Sequence, residues 1–162
     1  MRNASIIGPI AVTSEYWEGS QADGTRETGC RVQLRRVRDV PPPIPPPRPR
    51  LDAVFWSIEE PLWRADLFTT VGGPGAFDAA HFHPTFTGLV PCERVVDPAI
   101  RTHPVDWIQR RLADLPGMLF EAGHPDLVDA VDSDALEAAM PAILSAVRSI
   151  LGYRPSAVGR AG

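Results

Sequence analysis

An α+β fold is what this 162-residue sequence predicts: an antiparallel β-barrel or sandwich over residues 1–96, with helices over 97–152 packed on it. Up to about residue 96, apolar side chains alternate with polar ones or gather in β-branched and aromatic runs, the pattern of strands. From residue 104 onward they recur at helical spacing instead. The balance of 44% hydrophobic and 22% charged residues is that of an ordinary globular domain, so a single unit spanning 1–162 is expected.

The elements follow in order. SIIGPIAV reads as a first strand, EGSQADGTRETG as a turn-rich connection, and CRVQLRRVRDV as a second strand. In the latter, Val32 and Leu34 alternate with Arg31, Gln33 and Arg35, which makes a half-buried hairpin. Seven of the nine residues from Pro41 to Pro49 are proline. Such a run follows a polyproline II path and cannot donate to a sheet, so 41–50 is expected to be a strap or connector. A docking peptide is the other reading, since PPPIPPPRP carries PxxP spacing beside Arg48 and Arg50.

LDAVFWSIEEPLWRADLFTTV is rich in aromatic and β-branched residues and has Pro61 near its middle, which predicts two strands meeting at a bend over Glu59 to Leu62. Trp56 and Trp63 are expected in the core, although a ligand-stacking pair has the same composition. VGGPG is a turn, and AAHFHPTF is another short strand.

In the helical half, Ile108, Leu112, Leu115 and Leu119 share one face, with a break expected at Pro116 and Gly117. His103 and His124 each precede a proline and then an acid, the pattern of a helix start, so both are expected at N-cap positions. SDALEAAMPAILSAVRSILG lines up Leu136, Met140, Ile143, Leu144, Val147, Ile150 and Leu151, with Asp134, Glu137, Ser145 and Arg148 opposite and Pro141 on the polar side. Gly152 is expected to end this helix, and 153–162 to be a flexible tail.

Charge and composition exclude several functions. A net charge of −4 gives no polyanion-binding surface, so no nucleic-acid partner is expected. All sixteen basic residues are arginine, which rules out a Schiff base, a P-loop lysine and a Ser-Lys pair; neither a nucleotide nor pyridoxal phosphate is expected. Cys30 and Cys92 form no CxxC, so a reducing cytoplasm is the expected setting. The start of the chain lacks a secretory signature, and no apolar run is expected to span a membrane. Arg31, Arg35, Arg36, Arg38, Arg48 and Arg50 form one charged run; Glu121, Asp126, Asp129, Asp132, Asp134 and Glu137 form another. They can face each other within one chain or between the two copies of a homo-oligomer.

Gly75 to Pro84, GAFDAAHFHP, holds the one chemically suggestive spacing. On a strand His81 and His83 project from the same side, where two imidazoles can share a divalent transition metal. A third donor must come from another strand: Glu59, Glu60 or Asp66 before it, Glu93 just after it, or His103. The competing reading puts one histidine in the core and the other toward solvent, with Pro84 merely ending the strand. Catalytic residues beyond these donors are not legible.

The string GAFDAAHFH, a glycine, five residues and then HxH, resembles the opening half of the first cupin motif. That resemblance implies a small antiparallel β-barrel in which both histidines hold a transition metal together with a downstream glutamate. Thr87 and Gly88 stand where the glutamate belongs, and no second motif follows. Two function classes result. One is a cytoplasmic, cupin-like small-molecule domain with His81, His83 and one of Glu59, Glu60 or Glu93 on a metal that acts as a Lewis acid or activates water or oxygen. The other is a non-catalytic structural or protein-interaction domain that can form an oligomer. Arg35 or Arg38, if turned inward, offers a bidentate clamp for a carboxylate ligand.

Overall fold

A computed structural model describes residues 1–20, 24, 26–39, 56–70 and 80–153; the proline-rich segment, the VGGPG turn and the C-terminal tail lie outside the described residues. Six strands form one antiparallel sheet: β1 (Arg2–Ile7), β2 (Ile10–Ser20), β3 (Arg26–Asp39), β4 (Trp56–Thr70), β5 (His81–His83) and, at the far edge, β8 (Val95–Val96). Between the last two, β6 (Phe86–Thr87) and β7 (Val90–Pro91) make a separate small hairpin. The helices are α1 (Pro98–Thr102), α2 (Pro104–Ala113), α3 (Leu115–Glu121), a 3-10 turn (Pro125–Ala130) and α4 (Ser133–Gly152).

The α+β class is as expected, but the barrel is not formed. Among the described residues the sheet stays open, with β1 and β8 as its edges. The reason lies in how its two faces are satisfied. One face carries Ile10, Val12, Cys30, Val32, Leu34, Trp63, Ala65 and Leu67, all buried beneath the helices. The other carries charged side chains that neutralise one another across the strands, so it needs no second apolar layer.

Several local expectations are corrected. SIIGPIAV is a tight hairpin rather than one strand: Gly8 takes φ +58 and Ile7 pairs with Ile10. A Cβ on Gly8 would also sit 2.8 Å from the Ala130 carbonyl, so glycine is required there twice over. The aromatic segment is one long strand, not two. The bend expected at Pro61 appears as an irregularity in the pairing, where Arg35 opposes Pro61 and Val37 opposes Ile58. Trp63 is fully buried as expected, whereas Trp56 is about half exposed, at 51%.

Gly29 explains how β3 and β4 approach at their other irregularity. A side chain there would run into the Leu67 carbonyl oxygen and the Trp17 indole. Gly29→Ala is therefore expected to lower stability by at least about 2 kcal/mol, read as a reduced urea midpoint.

The helices behave largely as their sequence dictates. Pro104 and Pro125 open α2 and the 3-10 turn, with His103 and His124 at the N-cap positions, although neither imidazole makes a capping hydrogen bond. Asp114 interrupts the Ile108–Leu119 stripe just before Pro116, and its carboxylate accepts from Gly117 N at 3.1 Å to start α3. On α4, Leu136, Ile143, Leu144, Val147 and Ile150 are buried across β1–β4, while Pro141 is exposed as expected. By length and composition α4 is apolar enough to cross a bilayer, contrary to the expectation for the sequence; here its apolar stripe packs on the sheet.

Among the described residues the two charged runs meet at one point, where Arg36 lies 3.5 Å from Asp126. Within the sheet Arg26, Arg31, Arg36 and Arg38 also pair with carboxylates, whereas Arg35 makes no ion pair among the described residues.

Candidate functional site

Alternation along β5 separates its three residues. Phe82 turns to the helix side, where its ring centroid lies 6.0 Å from Trp63 and 5.3 Å from Trp107, beneath the Arg111 guanidinium. The Trp107 indole is fixed by Asp97, which accepts from Nε1 at 2.7 Å while also capping α1 through Ala99 N. This aromatic anchor holds a three-residue strand in place and aims His81 and His83 at the opposite, helix-free face.

On that face two rows of side chains run across the strands. The first is Arg2, Glu15, Arg31, Asp66 and His81, each opposite the next on the neighbouring strand. The second is Ala4, Thr13, Gln33, Arg64 and His83. In the first row the charge alternates in sign, the arrangement that stabilises directly opposed pairs. Arg2 donates to Glu15 through Nε and Nη2, at 3.1 and 2.7 Å. Arg31 lies 3.7 Å from Glu15 and donates its Nε to Asp66 Oδ1 at 2.8 Å.

Asp66, only 3% exposed, is the centre of the cluster. Its second oxygen lies 2.7 Å from Arg64 Nε, an ion-pair contact without hydrogen-bond alignment, since that Nε–H is otherwise unpaired. The same oxygen lies 3.5 Å from His81 Nε2 and 3.9 Å from His83 Nε2. One donor atom from each of Asp66, His81 and His83 falls within 4.8 Å of the others, and all three residues are buried. The donor set suits a metal ion. Ligands at about 2.1 Å in a tetrahedral shell stand about 3.4 Å apart, so the two Asp66–His separations need only small adjustments.

Hydrogen bonding fixes one tautomer. His83 Nδ1 lies 2.8 Å from the Glu93 carbonyl oxygen and must donate to it. Nε2 then carries the lone pair and accepts from Arg64 Nη2 at 3.0 Å. Burial, reinforced by the Arg64 charge, lowers the His83 pKa below the ordinary imidazole value.

His81 is different. Neither of its ring nitrogens has a hydrogen-bond partner among the described residues, although both are buried. It is packed between Phe68, with ring centroids 5.9 Å apart, and the edge of His83, at 5.0 Å. Burial pushes its pKa down to about 4, more than the nearby Asp66 charge can offset. A buried polar group without a partner is uncommon in folded proteins and marks either function or an absent ligand.

The other expected donors are elsewhere. Glu59 pairs with Arg38 at 2.8 Å and Glu60 with Arg36 at 3.3 Å, six or more residues along β4 from Asp66, about 20 Å or more. Glu93 is exposed and contributes its backbone carbonyl rather than its carboxylate. His103 is exposed at the start of α2. The residue brought to the histidine pair is Asp66, through a signal present in the sequence: Arg64-x-Asp66 has the same two-residue period as His81-x-His83. Arg31 and Arg64 were not anticipated as parts of the cluster.

No family model matches the chain, and no curated protein or solved structure is significantly similar to it.

Proposed function

We propose that the protein is a metal-dependent small-molecule domain in which Asp66, His81 and His83 hold a divalent transition metal. The observation that carries this reading is His81, a neutral imidazole buried beside a carboxylate and a second imidazole, with neither nitrogen partnered among the described residues. Two imidazoles and one carboxylate are the donor set that iron(II) and zinc sites use. A metal so bound supplies Lewis acidity and lowers the pKa of water.

The chain's own residues provide the rest. Glu93 holds His83 in the tautomer whose Nε2 lone pair faces Asp66, and the Phe82 anchor sets the orientation of both rings. Arg64 uses that same lone pair, so it competes directly with a metal and keeps the Asp66 charge balanced without one. The resemblance of residues 75–83 to the first cupin motif supports the same donor role for both histidines, with Asp66 taking the place of the downstream glutamate. The free thiols of Cys30 and Cys92 agree with a reducing, cytoplasmic setting.

The test is elemental analysis of protein purified without a histidine tag. One equivalent of a transition metal, lost in His83→Ala and in Asp66→Asn, supports the reading; metal-free protein that takes up no zinc or iron(II) on titration removes it. Arg64→Gln is expected to tighten metal binding about tenfold or more, since the competing charge-assisted hydrogen bond is worth about 1.5–3 kcal/mol.

A second reading, a non-catalytic interaction domain that associates with itself or with another protein, is favoured by one observation. Leu89, Val90 and Val96 are 73%, 66% and 51% exposed on the β6–β7 hairpin and the terminal strand β8. A molar mass above 17.6 kDa in light scattering, reduced by Leu89→Ser, supports it.

A further inference from the structure

The helix-free face carries a second feature, a cavity of about 280 Å³ over β1–β4. Arg2, Thr13, Glu15, Gln33 and Arg35 supply its polar wall, Arg2 being committed to Glu15; Ala4 and Ile58 supply hydrocarbon. Among the β3 arginines that the structure describes, Arg35 stands apart. Arg31 is neutralised by Glu15 and Asp66, Arg36 by Glu60 and Asp126, and Arg38 by Glu59. Arg35 is half-buried, makes no ion pair among the described residues, and donates only to Gln33 Oε1 at 3.0 Å.

Gln33 is 8% exposed, and its carbonyl oxygen is committed to Arg35. What remains for the cavity is its NH₂ donor pair. The Thr13 hydroxyl sits opposite Gln33 on β2. A guanidinium, an amide NH₂ and a hydroxyl therefore line one small space, with the Glu15 carboxylate at its side.

We infer that this cavity binds a small monocarboxylate, with its carboxylate on Arg35 and Gln33 and its hydrocarbon against Ala4 and Ile58. The planar fork of arginine matches a carboxylate, and a half-buried setting strengthens that hydrogen bond over one in open water. The class is narrowed by Glu15. Its carboxylate, held in the wall by Arg2 and Arg31, repels a second negative charge and disfavours a phosphate dianion. The volume is at the small end for ligand sites, which suits a short chain rather than a drug-sized molecule. Ile58, otherwise an exposed large aliphatic residue at 39%, gains a contact for its side chain.

The inference does not depend on the metal. Gln33 and His83 lie in one cross-strand row with Arg64 between them, two strand spacings or about 10 Å apart. The experiment is a titration of ¹⁵N-labelled, metal-free protein with hexanoate, hexanol and inorganic phosphate, following amide shifts. Expected are saturable shifts with hexanoate centred on residues 4, 13, 33, 35 and 58, and at least tenfold weaker binding of hexanol and of phosphate. Arg35→Gln, shown to be folded by its dispersed spectrum, is expected to bind hexanoate at least tenfold more weakly. Should that variant not fold, Ile58→Glu places a repelling charge at an exposed rim position and is expected to weaken binding by the same factor.

Equal binding of hexanoate and hexanol overturns the inference. So does unchanged affinity in a folded Arg35→Gln or Ile58→Glu variant, tighter binding of phosphate, or shifts centred on His81 and His83. Retained hexanoate binding in His83→Ala, with metal uptake lost, separates this site from the metal site.

Discussion

Asp66→Ala is expected to lower the unfolding free energy by about 3 kcal/mol or more, the range seen when one partner of a buried charge pair is deleted. Arg31 and Arg64 converge on the Asp66 carboxylate from the two sides, at 2.8 and 2.7 Å. Without it, two like charges are left facing each other where their side chains are only 30% and 18% exposed. Partial access to water keeps the loss toward the lower end of that range. Asp66→Asn preserves shape and one acceptor, so about half the loss is expected. Glu59→Ala is the control: its partner Arg38 is 63% exposed, and pairs of that kind contribute no more than about 1 kcal/mol. Urea unfolding at pH 7 with an unchanged slope measures all three. Equal midpoints for Asp66→Ala and Glu59→Ala would show that Asp66 is not the centre of the cluster.

That contrast depends on where each carboxylate falls along β4, which is where the sequence stops being informative. The alternation of Val32 and Leu34 with Arg31, Gln33 and Arg35 is legible because one face is apolar and the other charged. The α4 stripe is legible for the same reason at helical period. Pairing is not legible in this way. Glu59, Glu60 and Asp66 all precede the histidines and all suit a metal, and only the register of β4 against β5, with Asp66 opposite His81, selects among them. Register is a tertiary property, set by which faces are buried together and by the irregularity beside Pro61, and a local pattern does not encode it.

The barrel expectation fails for a related reason. Alternation predicts a sheet with one polar face, and whether such a sheet closes depends on what the polar face does. Here Arg2, Glu15, Arg31 and Asp66 neutralise one another across four adjacent strands, so the face is satisfied while open. The same ladder reveals Arg35 by exclusion, since Arg31, Arg36 and Arg38 have carboxylate partners and Arg35 has none among the described residues. Along the chain Arg31, Arg35, Arg36 and Arg38 look alike; only their partners in space distinguish them.

His81 makes the sharpest prediction, because it combines a cost to folding with a role in binding. In the unfolded chain its imidazole titrates near 6.5, and in the folded protein burial lowers that to about 4. The unfolded state therefore binds the proton more tightly throughout this interval. Stability is fully present above pH 6.5, falls as the pH drops toward 4, and levels off below it as far as this group is concerned. The accumulated loss is of the order of 3 kcal/mol, from 1.4 kcal/mol per tenfold difference in proton affinity. His83, lowered in the same direction by burial, adds to the loss as the pH falls below 6.5. His81→Leu removes the titrating group together with two buried nitrogens that have no partner among the described residues, so at pH 7 it is expected to be neutral or up to about 2 kcal/mol more stable than the parent. It is also expected to have lost metal uptake and most of the acid-side slope. Unfolding free energies of the two proteins from pH 4 to pH 8 test this directly. A His81→Leu variant that is several kcal/mol less stable at pH 7 would mean that His81 is partnered in solution, and the metal reading would lose the observation it rests on. A more stable variant that no longer takes up metal fits a side chain kept for binding at a cost to folding.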